Sequence, residues 1–344
     1  MDKMEQNFLT WLAQNTKTVW WHDSANISEQ EKAFSLGATG MTTNPFLVNQ
    51  TLQMNVGDWK GVIAEDITSL SDDDKAISLI KSVTGYYAEK VAPLFDKGTF
   101  GAGYVCAQTN PNKTGNYAYM LEQAKCYASW YPNIVIKLPA TNAGIRVFEE
   151  CVALGLNVAA TVSFSVPQVI AVAEARKRGK ELALSNGIKP GLSIAVLMVG
   201  RLDDYLRDVA NDQNSVVTEA DIKLAGTACM KRAYSIFNER GYDTVLMPAG
   251  CRGAHHITSL AGAKMIMSIS PKIQKALLDL KGPFEEKINE PVDPEALERL
   301  STLREFRKAF EPDGMSSDEF ITFGSSNRTI DQFINSGWNP LLSL

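Results

Sequence analysis

Residues 133–141 read NIVIKLPAT. A strand of a parallel sheet is covered on both faces, so it reads as a nearly unbroken apolar run. This stretch has that character except for Lys137 at its centre. A lysine in a strand is ordinarily a guard on an exposed edge. The other reading is that it points into the lumen of a closed barrel, where alternate residues of every strand point. What flanks the segment decides between them.

Outward in both directions one rhythm recurs: a short apolar run, a polar turn, a helical pattern. The candidate strands are Thr18–Asp23, Gly40–Asn44, Gly101–Gln108, Ile134–Leu138, Val158–Ser163, Leu192–Met198, Thr244–Ala249 and Lys264–Ser268. Strands alternating with helices indicate a parallel sheet. Eight of them predict an α/β fold, a closed (β/α)8 TIM barrel, with its chemistry at the C-terminal ends of the strands. Helix signals punctuate the pattern. Ser28–Glu31 reads as a capping box with Gly37 ending that helix. Thr218–Asp221 opens a helix that stops at Gly241, Asn142–Leu154 ends at Gly155, and Ser165 caps a helix with Pro167 in its first turn. Thr109–Asn116 is a turn-rich loop. The expectation is one domain over residues 1–344, in which 281–344 form a helical C-terminal extension packed on the barrel. A separate small helical domain is the weaker reading.

With 344 residues, 45% apolar, the chain can bury a large core. Its net charge of −5 argues against a nucleic-acid partner, which calls for a basic stripe. A small anionic substrate remains open, because a local pair of arginines can hold an anion on an acidic protein. The five cysteines, Cys106, Cys126, Cys151, Cys229 and Cys251, show no CxxC spacing and read as reduced thiols of a cytosolic protein, not as a zinc site. MDKMEQNFLTWLAQN is interrupted by Asp2 and Glu5 and reads as a short amphipathic helix packing Phe8, Leu9, Leu12 and Trp11, not a signal peptide. No apolar run reaches the ~20 residues of a membrane span. A cytoplasmic protein without a membrane partner is expected.

Lys137 is not the only polar residue out of place. Asp23 ends VWWHD, Thr42, Thr43 and Asn44 lie in GMTTNP, Gln108 in YVCAQTNP, and Thr161 and Ser163 in AATVSFS. Each alone is adequately explained as a turn cap or an edge residue. Together they fall at the C-terminal ends of the proposed strands. As a general rule, desolvation in an apolar pocket disfavours the charged form of a lysine. The neutral amine attacks carbonyls to give a Schiff base, whose protonated imine draws electrons from the neighbouring C–C bond. That chemistry needs no metal or cofactor. The three histidines are His22, His255 and His256; the last two are adjacent and not expected to face one site, so no metal is expected. Arg201, in AVLMVGR, and Arg252, in MPAGCRGAHH, each follow a strand. As a pair at one barrel mouth they would grip a phosphate or sulfonate, with Gly250 and Gly253 letting backbone N–H groups approach.

The segments WHDSAN, GATGMTTNP, IVIKLPAT, GLNVAATVSFS, VGRLDD and AGCR, in this order and spacing, resemble the transaldolase family from about Val19 to Leu280. A fainter echo, LREFRKAFEPDGMSSDEF, lies in the tail. The resemblance implies that Lys137 is the Schiff-base lysine and that Asp23 binds substrate hydroxyls and moves protons. It further implies that Asn44 contacts substrate, Thr161 helps hold the catalytic water, and Arg201 and Arg252 bind the substrate's phosphate. Thr43, Ser163 and Met198 are carried as further substrate-contacting positions. Three positions depart from a standard transaldolase. Gln108 replaces a general-acid/base glutamate, Ala159 an asparagine and Met198 a phenylalanine. Fructose 6-phosphate aldolases share the glutamine and lack the asparagine, but carry a catalytic tyrosine where this chain has Met198. The proton carrier is therefore not assigned by resemblance. Asp23 is the ionisable candidate left, while Tyr104, with the strand parity of Gln108, is expected to lie deeper in the barrel.

The resemblance implies transfer of a dihydroxyacetone unit from a phosphorylated or sulfonated ketose, in the pentose phosphate part of carbohydrate metabolism, by a dimer or larger homo-oligomer. Three alternatives stay open. They are an aldolase releasing free dihydroxyacetone, a non-catalytic sugar-phosphate-binding barrel, and a metal-dependent barrel aldolase.

Overall fold

The computed structural model describes residues 6–54, 57–63 and 67–344. The chain runs α1 (Phe8–Asn15), β1 (Val19–Asp23), α2 (Ile27–Ser35), β2 (Met41–Thr42), α3 (Pro45–Met54), α4 (Asp72–Phe95) and β3 (Val105–Gln108). It continues through α5 (Tyr117–Ala128), β4 (Ile134–Pro139), α6 (Asn142–Ala153), β5 (Val158–Thr161), α7 (Val166–Ser185), β6 (Ser193–Leu197), α8 (Val199–Asp212) and α9 (Glu219–Glu239). Then come β7 (Val245–Pro248), α10 (His255–Thr258), β8 (Ile266–Ile269) and α11 (Pro271–Leu278). The tail holds α12 (Pro294–Leu300), α13 (Arg304–Phe310), α14 (Gly324–Phe333) and α15 (Asn339–Leu342).

The eight strands are all parallel, in the order β7-β6-β5-β4-β3-β2-β1-β8. β7 and β8 lie side by side and bring the ring nearly to closure. This is the (β/α)8 TIM barrel that the rhythm of the sequence predicts. Helices between the strands lay apolar stripes on the ring; α6, for example, packs on β4 and β5 and buries Ile145, Phe148, Cys151 and Val152. Inside, Trp21 donates its indole N–H to Gly101 O (2.7 Å) and stacks on Tyr104 at 6.1 Å between centroids, which plugs the floor. Tyr104 thus lies at the floor end, as its place four residues before Gln108 predicts, and burial raises its phenol pKa.

The strands are shorter than the apolar runs, for local reasons. Gly103 has φ +82°, and a Cβ there would stand 2.1 Å from Phe95 N. The backbone before β3 is therefore a tight turn against the end of α4, and pairing begins only at Val105. Asn44 leaves β2 because its side chain accepts the Leu47 N–H (3.0 Å) and caps α3. Val162 adopts φ +54°, which ends β5 before Ser163. The Ser28–Glu31 capping box does not form. Asn26 is the N-cap of α2, accepting from Ser28 N, while Glu29 takes the Ser24 hydroxyl at 2.6 Å. The other helix signals hold: the Thr218–Asp221 box, the Ser165 cap, and Gly37, Gly155 and Gly241 at positive φ just past their helices. α1 buries Phe8, Leu9 and Leu12, with Trp11 half-buried against Phe284. No helix among the described residues is long and apolar enough to cross a membrane.

From residue 281 onward the chain is helical or irregular. α14 runs on as a π-helical turn, Ile334–Trp338, into α15. This segment crosses the C-terminal face of the ring. Ser325 Oγ donates to Arg201 O (3.3 Å) and Arg328 pairs with Asp208, both on α8. Further along, Asn49 Nδ2 of α3 donates to Ser336 O (3.2 Å). Trp338 Nε1 donates to Asp73 Oδ1 (3.2 Å), which also accepts from Asn110 Nδ2 in the loop after β3 (3.2 Å).

Candidate active site

Register sets Gln108, Lys137 and Ala159 side by side on β3, β4 and β5. The edge-guard reading of Lys137 fails because β4 is paired on both sides. Lys137 is 8% exposed, and its Nζ donates to Thr43 O at the end of β2 (3.1 Å). Its side chain therefore lies in the lumen. The Thr43 hydroxyl is spent on Cys106 O (2.6 Å), so Thr43 offers the site its carbonyl and not its side chain. Thr161, opposite Pro139, keeps the lumen parity. Gln108 Oε1 is buried without a hydrogen-bond partner, and so is Ser163 Oγ. Burial pushes the Cys106 thiol up to about 12, against the pull of nearby Lys137, so it stays an inert neighbour.

Asp23 ends β1 opposite Thr42. Thr42 Oγ1 donates to Asp23 Oδ1 (2.7 Å) and lies 2.7 Å from Ser268 Oγ. Because Thr42 has a single proton and gives it to the carboxylate, Ser268 donates to Thr42. This hydroxyl chain fixes the Asp23 carboxylate at the lip of the ring.

Arg201 lies in the first turn of α8, whose N-terminus has no side-chain cap. The positive end of that helix favours an anion. Arg252 follows β7. Its Nε donates to Asp204 Oδ2 (2.7 Å) and its Nη1 to Gly250 O (3.0 Å). The two arginines meet at Gly250, where a Cβ would lie 3.5 Å from Arg201 Cγ and 3.7 Å from Met198 Cε. Burial and the neighbouring Arg252 push the Arg201 guanidinium down to about 10, with Asp204 and Asp23 opposing. Two cations in mutual repulsion, one of them desolvated, form a site that an anion would relieve.

Gln108, Thr161 and Val162 share a narrow cavity of about 10 Å³ with Ile330 and Phe333 of α14. The Phe333 ring lies under Arg201, 5.7 Å from Cζ to centroid. A wider cavity of about 250 Å³ opens beside Asp23, reaching Gln50, Met54 and Lys272. Larger cavities of about 510 and 580 Å³ lie among the outer helices and contain none of the candidate residues. The structure thus gathers Lys137, Gln108, Thr161 and Asp23 at one end of the ring, with Arg201, Arg252 and Met198 together on its rim. Asn44 is committed to capping α3 through Oδ1. Ser163 is fully buried and does not line the cavity.

Sequence reasoning missed Ser268, Ile330 and Phe333. Ser268 had a signal, a hydroxyl inside the apolar run MIMSI; the tail residues had none. It also misjudged the histidines. His255 and His256 open the short helix α10 with their rings 4.1 Å apart, and their nitrogens come within 4.8 Å of an Asp203 oxygen. Adjacency does not separate them: at the start of α10 both rings come within reach of Asp203 on α8.

Among known proteins, the chain is 27% identical over 240 residues to a probable transaldolase of Dehalococcoides mccartyi, covering 70% of this chain and 80% of that one. It is 25% identical over 230 residues to a transaldolase of Thiobacillus denitrificans, covering 63% of this chain and 62% of that one. A transaldolase of a Marinomonas species is 28% identical over 199 residues, covering 58% of this chain and 56% of that one. The matched part thus spans less than two thirds of the length of the latter two relatives. Residues 20–336 match the family described as Transaldolase/Fructose-6-phosphate aldolase, and the chain belongs to that family.

Proposed function

We propose that this protein is a class I, Schiff-base transaldolase acting in the cytoplasm on a ketose that ends in a phosphate or a similar anion. The observation that carries this reading is Lys137, an amine buried in the lumen at the same strand ends as Asp23, in a chain of this family. Lys137 Nζ attacks the ketone carbon, and water leaves to give the imine. Asp23 takes the proton of the C4 hydroxyl. The C3–C4 electrons flow into the protonated imine, and an aldehyde departs. The three-carbon enamine left on Lys137 adds to an acceptor aldehyde, and water then frees the lysine. Gln108 and Thr161 hold that water; glutamine orients it but cannot take its proton. Arg201 and Arg252 hold the terminal anion, and Asn44 faces the sugar hydroxyls. No metal takes part, so a chelator leaves the rate unchanged. Transfer is favoured over release of free dihydroxyacetone by the length of the chain and its tail.

Borohydride reduction in the presence of fructose 6-phosphate, followed by peptide mass spectrometry, tests the reading. The wild type should carry a reduced adduct on Lys137, and Lys137→Ala none. A catalytically active wild type that is never trapped would exclude the Schiff base. An inactive, phosphate-binding wild type would favour the non-catalytic barrel.

A further inference from the structure

Behind the Arg252 loop lies a buried pair that the mechanism above does not use. His256 is 0% exposed and Asp203 1%. His256 Nε2 is 2.7 Å from Asp203 Oδ2. Asp203 Oδ1 accepts the Gly226 N–H of α9 (2.8 Å), and His256 Nδ1 accepts the Arg252 N–H (3.1 Å). The last bond settles the tautomer. Nδ1 receives a proton, so the single proton of the neutral ring sits on Nε2 and is given to Asp203.

Both ring nitrogens and both carboxylate oxygens are thereby committed. A cation held by Asp203, His255 and His256 would have to break these bonds, and the arrangement is not that of a metal site. It is a relay of fixed hydrogen bonds that runs from α9 through α8 to the main chain of Arg252. The Arg252 side chain is anchored separately, on Asp204 and Gly250.

We infer that His256, its tautomer fixed by Asp203, is a positioning residue that holds the Arg252 main chain and so sets the affinity for the substrate's terminal anion. The inference rests on the reading of Arg201 and Arg252 as the anion site. A pair that merely stabilised the fold would affect every substrate alike. This pair should affect only those that carry the anion.

Two variants separate its two bonds. In His256→Gln, the amide nitrogen can still reach Asp203, but no acceptor faces the Arg252 N–H. In His256→Asn, Oδ1 stands near the place of Nδ1 and keeps that acceptor, while Asp203 loses its donor. Inorganic phosphate binding by titration calorimetry, and kinetics with fructose 6-phosphate and with unphosphorylated fructose, are measured on the full chain. His256→Gln should weaken phosphate binding and raise KM for fructose 6-phosphate by about tenfold, with kcat within about twofold and the fructose rates unchanged. His256→Asn should stay within about threefold of wild type on the phosphate Kd. Equal losses in both variants, or equal losses with fructose, would overturn the inference. Arg252→Ala separates the two levels. If it leaves phosphate binding intact, the anion-site reading falls. If it abolishes binding while His256→Gln does not weaken it, only the positioning role falls. Should His256→Gln fail to fold, imidazole ¹⁵N shifts of the wild type, which has three histidines, carry the test. A proton on Nδ1 of His256 would overturn the relay.

Discussion

Replacing Gln168 by leucine should unfasten the end of β5 and cost about 4 kcal/mol of stability. Gln168 lies at the start of α7, fully buried. Its Oε1 accepts from Phe164 N (2.9 Å) and Ser165 Oγ (2.9 Å), and its Nε2 donates to Ala140 O (3.2 Å) and Val162 O (3.1 Å). Leucine nearly conserves the volume, so the cavity contribution is small. Four buried hydrogen bonds at about 1 kcal/mol each give the figure, well above the usual effect of one substitution. The knot also holds Val162 at φ +54°, a conformation that costs a residue with a Cβ roughly 1–2 kcal/mol. Released, Val162 should relax towards ordinary backbone and shift Thr161, its neighbour in the lumen. The assay is urea unfolding of both proteins, read as a midpoint shift at unchanged slope, together with turnover of the folded variant. A loss below about 1 kcal/mol, or full activity after a large loss, would refute the argument that these bonds hold the strand end in place.

Further outcomes follow from other contacts. Gly200→Ala places a methyl 2.5 Å from Gly250 O and 2.6 Å from Arg252 Cγ. The loop must back away by roughly 0.8 Å, and phosphate affinity should fall on the order of tenfold or more; unchanged calorimetric binding would mean that the anion is not held there. Burial pushes His22 down to about 4 from the ordinary 6.5, so the unfolded chain takes up its proton first as the pH falls. The stability tied to His22 is whole above pH 6.5 and fades towards pH 4, by at most about 3 kcal/mol. His22→Asn keeps the acceptor for Gln274 and should flatten that slope in unfolding curves taken across this window. His255, also pushed down to about 4, would leave part of the slope in place. Phe333→Ala removes the ring under Arg201 and should cost about 3 kcal/mol in thermal unfolding while raising KM for fructose 6-phosphate; a lowered melting temperature with unchanged KM would assign the ring to packing alone.

Much of the candidate site was legible because it breaks a rule that the sequence otherwise keeps. Lys137 and Gln108 stand in runs that should be apolar, and Asp23 ends one. Arg201 and Arg252 were found by their place just past strands. What stayed hidden depends on contacts that no local pattern encodes. Thr42 meets Ser268 across 226 residues of chain. Phe333 is an ordinary helical aromatic until the tail is laid over the barrel. The strand ends were overrun for a related reason: apolar residues continue to Gly101 and Ser163, where left-handed backbone at Gly103 and Val162 has already turned the chain away.

In a barrel of this kind each strand usually hands its reactive residue to an independent loop, and loops can be exchanged one at a time. The segment from Gly324 to Leu342 removes that freedom here. It touches α3, the Asp73–Asn110 junction and α8, so three crossovers from opposite sides of the ring share one covering piece. A loop grafted from a relative would meet a partner shaped for its predecessor. Redesign of this mouth, by selection or by hand, has to move the covering segment and the loops beneath it as one unit.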